Sequence, residues 1–157
     1  MGSLLMDADY ELGMRAGVNI KGNVNIVLRD SGGRYKARRV IHNTVPANGL
    51  AHVADRLSTT PGQAAMGWMA VGTGTPTATL LGVETDRNAL TSCTDAGAVV
   101  TYVGNWAAGD ATATITEAGV FNVVTANTIT MLMSASFAGI AKGANDTLQI
   151  TWTLTLS

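Results

Sequence analysis

The sequence predicts a mainly β protein: an antiparallel β-sandwich or barrel of jelly-roll-like type, with one short helix and an extended amino-terminal arm. Three observations predict it. Leu148, Ile150, Trp152, Leu154 and Leu156 alternate with Thr147, Gln149, Thr151, Thr153 and Thr155, the period-two order of a strand with one buried face. Short runs of the same kind recur from Ala98 onward, separated by turns, which is the pattern of stacked antiparallel sheets. Finally, Asp30-Ser31-Gly32-Gly33 stands between two strand-like runs, and glycine supplies the positive φ that a tight hairpin turn needs.

The elements follow in order. Residues 1–22 lack a clean period and read as the arm, with room for a short helix around Met6 to Met14. Residues 23–157 read as a single β-rich domain. In it Asn23 to His42 form the hairpin, with Val24, Ile26 and Leu28 on one side. Thr44 reads as the cap of a helix over residues 45–57, Pro46 being tolerated in the first turn and Leu50, Val53, Ala54 and Leu57 recurring at helical spacing. A sandwich over residues 66–157 follows. It opens with a buried strand from Met66 to Val71 that leaves through Gly72 and Gly74, and Leu80 to Leu90 is expected as a short helical turn carrying Glu84, Asp86 and Arg87. Val99 to Asn105 and Ala111 to Ile115 pair around a turn at Ala107 to Asp110, and Ile129, Met131, Met133, Ala135 and Phe137 share one face of the next strand.

Composition narrows the function classes. Charged residues make up 13% of the chain, about half the usual share of about 25%. Cations gather before Arg56, and only Arg87 and Lys142 follow it, so the later part is mildly acidic. A net charge of -1 argues against a dedicated nucleic-acid binder. The single cysteine, Cys93, excludes a disulfide framework and a multi-cysteine zinc site. Residues 1–14 have no basic residue ahead of Leu4-Leu5-Met6 and do not read as a secretory signal. The charge-free stretch from Ala118 to Ala141 is interrupted by Asn122, Asn127, Thr128, Ser134 and Ser136, a polar density that argues against a membrane span.

Catalytic signals are sparse. His42 and His52 are the only histidines, and Cys93 in a loop-like stretch reads as a small filler. Gly72-Thr73-Gly74-Thr75 follows a strand but lacks the third glycine of a dinucleotide loop and the lysine of a P-loop, so it reads as a tight strand exit. Asp7, Asp9 and Glu11 are spaced like the opening of a calcium loop but lack its glycine and distal glutamate. Asp110 and Glu117 make a carboxylate pair for glycoside chemistry only if folding joins them. Trp68, Trp106 and Trp152 are too scattered for a stacking platform and are expected in the core. No enzyme activity, cofactor, metal or small-molecule substrate is expected. A small enzyme or carbohydrate-binding module on a β-sandwich would have few residues to work with.

The candidate site is a partner surface. Arg34, Lys36 and Arg38 would point to one side of a strand, with Arg39 beside them. They read either as contacts to phosphates or an acidic protein surface, or as a solvated edge strand protected by charge. Tyr10 and Arg15 of the arm join them as candidate partner-binding residues. The threonine-covered strand faces, poorly protected against pairing with another chain, are a candidate subunit interface.

Five motifs occur in order: Ile41-His42-Asn43-Thr44-Val45, Ala70-Val71-Gly72-Thr73-Gly74-Thr75, Leu81-Gly82-Val83-Glu84-Thr85-Asp86-Arg87, Ile115-Thr116-Glu117-Ala118-Gly119-Val120-Phe121-Asn122 and Asp146-Thr147-Leu148-Gln149-Ile150-Thr151-Trp152-Thr153. Together they resemble a group of small tailed-bacteriophage virion proteins, labelled variously as capsid decoration or tail-fibre-like proteins, over about Ile41 to Leu156. The resemblance implies a non-enzymatic structural role on the virion. It implies a decoration (cement) protein, often a homotrimer, bound to the major capsid protein on the outer head surface, with a tail-fibre, baseplate or head-fibre component as the alternative. The arm would then extend over neighbouring capsid subunits, and the hairpin cations would meet acidic capsid patches.

Overall fold

The computed structural model describes residues 17–126 and 130–157. Nine strands form two antiparallel sheets among these residues. β1 (Ile20–Arg29), β2 (Tyr35–His42), β5 (Ser92–Ala96), β6 (Val99–Trp106) and β9 (Thr147–Leu156) make one sheet in the order β2-β1-β9-β6-β5. β3 (Trp68–Gly72), β4 (Glu84–Ala89), β7 (Ala113–Phe121) and β8 (Met131–Lys142) make the other in the order β4-β3-β7-β8. The expected sandwich is present. Its connectivity is four consecutive hairpins closed by β9, which fills the place between β1 and β6.

The core lies between the sheets and follows from the alternation. Val24, Ile26 and Leu28 of β1 and Leu148, Ile150, Trp152 and Leu154 of β9 meet Met69 and Val71 of β3, Ala118 and Val120 of β7, and Met133 and Phe137 of β8. Trp106 and Trp152 are buried here, while Trp68 packs at the margin of a second cluster formed by Ala70, Leu81, Phe121 and Met131. That second cluster lies on the opposite face of the four-stranded sheet, so β7 is buried on both sides from Glu117 to Phe121. The charge-free stretch after Glu117 is the end of β7 and β8 joined by a connection, and double-sided burial accounts for it as far as Ala135. No helix among the described residues is long and apolar enough to cross a membrane.

Several expectations change. β1 begins at Ile20, paired with Leu156, so the last three residues assigned to the arm are strand. The helix, α1, spans Ala47–Arg56 and its N-cap is Pro46, not Thr44. Thr44 is committed elsewhere: its N–H donates to Ser134 O at 2.8 Å and its carbonyl accepts from Ser134 N–H at 2.9 Å, which ties the β2 exit to β8. The expected helical turn at Leu80 to Leu90 is the strand β4. A bulge at Thr85, where Val71 pairs with Asp86 and Gly72 with Glu84, breaks the alternation and hides the strand period. Another bulge, at Leu132, puts Met131 opposite Phe121 and Met133 opposite Val120. Met131 and Met133 therefore occupy different clusters rather than one face, and Ile129 lies outside the described residues. β5 was not expected at all, and Cys93 on it is exposed rather than a filler.

Candidate functional site

The hairpin cations do not form one strip. Arg34 lies in the turn, where Gly33 has φ +78°, and its Nε donates to Asp30 Oδ2 at 3.0 Å. Hydrogen bonds from Arg34 hold the Asp30 carboxyl below its ordinary value. The register moves between Leu28 paired with Ala37 and Arg29 paired with Tyr35, which makes Lys36 the bulged residue. Its ammonium turns to Asp146 and donates to Oδ2 at 2.6 Å. Asp146 also accepts the Gly143 N–H at 2.8 Å, and these two bonds, Lys36 first, lower its carboxyl's pKa. Arg38 donates from Nε to Asn25 Oδ1 at 2.8 Å, and Arg39, paired with the core residue Ile26, stands on the inner side of β2. Of the four hairpin candidates, Arg34 and Arg38 project outward, Lys36 is held in an ion pair, and Arg39 faces the other way. Arg29 joins the outward set, its guanidinium 3.9 Å above the Tyr35 ring. Tyr10 and Arg15 lie outside the described residues.

The registers also assemble the outer face of the five-stranded sheet. One row runs His42, Asn23, Thr153, Thr101, Thr94, and the next Val40, Asn25, Thr151, Val103, Ser92. A third places Arg38, Val27, Gln149 and Asn105 side by side. Gln149 donates to Asn105 at 3.0 Å, and Asn105 donates to Thr91 at 2.8 Å. No carboxylate occurs among the residues that these strands direct outward, and the cations stay on the β1–β2 side. The threonine face read from β9 thus continues onto β6 and β5, while β1 and β2 complete the surface with Asn23, Asn25, Val27, Arg38, Val40 and His42.

Three of the five ordered motifs converge beneath the other sheet on Glu117. This side chain is fully buried and its carboxyl oxygens accept backbone N–H groups from Gly74 at 2.9 Å, Gly82 at 2.7 Å and Val83 at 2.7 Å. Thr116 adds a hydroxyl donated to Gly74 O at 2.7 Å. A Cβ on Gly72 would collide with the Val83 carbonyl oxygen, so the glycines are there because the loop lies directly on the strand. Beside this cradle, Arg87 donates from Nε and Nη2 to the two oxygens of Glu84, both at 2.8 Å, and from Nη1 to Val123 O at 2.9 Å. Its guanidinium stacks 3.8 Å above Phe121, with both charged side chains almost wholly buried. These groups hold the loop over the sheet. Sequence reasoning missed the role of Glu117, although a lone acid inside an otherwise uncharged strand was a signal for it.

Remaining chemistry-bearing residues are dispersed. His42 is exposed at the end of β2, and Cys93 sits on β5 at the far edge of the same sheet, about 19 Å away at ~4.8 Å per strand. Burial and then Asp95 raise the Cys93 thiol pKa, the opposite of what a nucleophile needs. His52 is buried on α1 with Nδ1 3.2 Å from Gln63 Oε1. Asp110 caps a turn by accepting the Ala107 N–H at 3.2 Å, whereas Glu117 is committed to its loop, so the two carboxyls are not a working pair. No cluster of three or more His, Cys, Asp or Glu side chains suited to a metal ion occurs among the described residues. The structure therefore defines a two-sheet antiparallel sandwich whose distinctive features are surfaces. Comparison with protein-family models, curated proteins and solved structures returned no significant match.

Proposed function

We propose that this chain is a non-enzymatic structural subunit of a tailed-bacteriophage virion, a decoration (cement) protein that oligomerises, as a trimer, on the outer head and braces contacts between major capsid protein capsomers. The observation that carries the reading is the carboxylate-free outer face of the five-stranded sheet. Five strands at ~4.8 Å and about eight residues at ~3.3 Å give that face roughly 600 Å² in projection. A standard interface buries ~800 Å² per partner, so this face supplies most of one subunit contact. The ordered motifs that resemble virion proteins support the same reading, and the outward Arg29, Arg34 and Arg38 suit an acidic protein surface.

Labelled-antibody microscopy on virions tests the placement, with labelling of the head expected and labelling confined to the tail contradicting it. Deleting residues 1–17 is expected to release the protein from particles while the domain stays folded, because β1 starts at Ile20. Unchanged occupancy would contradict a role for that segment in attachment.

A further inference from the structure

We propose that the free edge of β5 pairs with the free edge of β2 from a second copy of this chain. The inference rests on the oligomeric reading above and names the contact that closes the oligomer. The two sheets have four edges, and three of them carry a device that discourages pairing. β2 bulges at Lys36, β4 bulges at Thr85 and carries Glu84, Asp86 and Arg87, and β8 bulges opposite Thr116 and is bridged by Thr44 at Ser134. β5 has none of these. It pairs with β6 without a register shift, is exposed at all five positions, and holds no lysine, arginine or proline. No strand flanks its outer side among the described residues, and an unpaired row of N–H and C=O groups is a template for another strand.

Charge selects the occupant. β2 carries Lys36, Arg38 and Arg39 and no acid, whereas β5 carries Asp95 and no cation. Like edges therefore repel and unlike edges attract. β2 of the same chain stands at the opposite end of the sheet, with β1, β9 and β6 between, so a β2 that reaches β5 belongs to another copy. Such a contact is head-to-tail, the kind that closes into a ring. The width of the outer face suits three members. Five strands at ~4.8 Å span about 24 Å, and three such faces joined at their edges stand about 7 Å from a common axis, against ~5 Å from the midplane for two sheets packed face to face. Outer-face side chains then meet around that axis. Neighbouring strands alternate in direction, so β2 and β5 run the same way and the new ladder is parallel. Cys93 lies level with the buried Tyr102, on the side away from the axis, and the pairing leaves its thiol open.

Disulfide trapping in the full chain carrying Cys93→Ser tests this. One double variant joins Ser92→Cys on β5 to Val40→Cys on β2, positions that share a row of the outer face. A second replaces Val40→Cys by His42→Cys, one row along, to cover a stagger between copies. Within one chain the two edges lie about 19 Å apart at ~4.8 Å per strand, so a link must join two copies. After mild oxidation at least one double variant is expected to run as a covalent trimer on a denaturing gel, while each single variant stays unlinked. Absence of covalent trimer from both double variants overturns the inference. Dimers from Ser92→Cys alone mean that β5 pairs with β5, which also overturns it. The two readings fail differently: a monomer by native mass removes the oligomer, whereas an oligomer without the β5–β2 link removes this contact alone.

Discussion

Single residues carry unusual weight because the chain has so few charges to spend. Glu117 satisfies three backbone donors of the Gly74–Val83 loop. Glu117→Gln turns one acceptor into a donor facing those N–H groups, and each unmet buried donor costs about 1–3 kcal/mol. Urea unfolding is therefore expected to show a loss of about 3 kcal/mol, and a loss under 1 kcal/mol would mean that the loop is not anchored there. Tyr102 gives a second residue-scale test. Burial pushes its phenol up to about 12 from the ordinary 10, so between these values the folded state holds a proton that the unfolded state has released. Its contribution is complete below pH 10 and is lost as pH rises toward 12. Tyr102→Phe should flatten that alkaline decline in a stability-against-pH series. Asp146 works in the opposite direction. Its lowered carboxyl, bonded to Lys36 and Gly143, contributes above pH 3.8 and is lost as pH falls below that value, so Asp146→Asn should flatten the acid limb.

At the scale of elements, β9 was fully legible because its period is unbroken and its two faces differ in kind. The β1–β2 hairpin was legible for the same reason and because its turn chemistry is local. What escaped was governed by contacts remote in sequence. The Thr85 bulge erased the alternation of β4, and β5 is an edge strand, exposed at every position, which leaves no buried side chain to announce it. The candidate site was half legible: the sequence located the cations, but the bulge at Lys36 and the inward register of Arg39 depend on partners in β1 and in the β8–β9 turn. Thiol labelling checks the β5 assignment. Cys93 should react in the native protein without unfolding, slowly near neutral pH and faster above pH 9, because its pKa is raised. Reaction only in denaturant would remove the thiol from an exposed edge.

For the whole molecule, the low charge belongs chiefly to two places: the doubly buried half of the β7–β8 pair, Glu117 to Phe121 with Met131 to Ala135, and the outer face of the five-stranded sheet. The first is a matter of folding, and the second is the surface proposed above to meet another subunit. A carboxylate at the centre of that face separates the two, since Thr151 lies between Asn25 and Val103. Thr151→Glu should change the stability of the isolated fold by no more than about 1 kcal/mol while weakening self-association at least tenfold. Native mass measurement of the full chain at micromolar concentration tests the central claim most directly. A closed oligomer, a trimer, is expected, and Thr151→Glu is expected to convert it to monomer with the fold intact. A wild-type chain that stays monomeric under those conditions would contradict it.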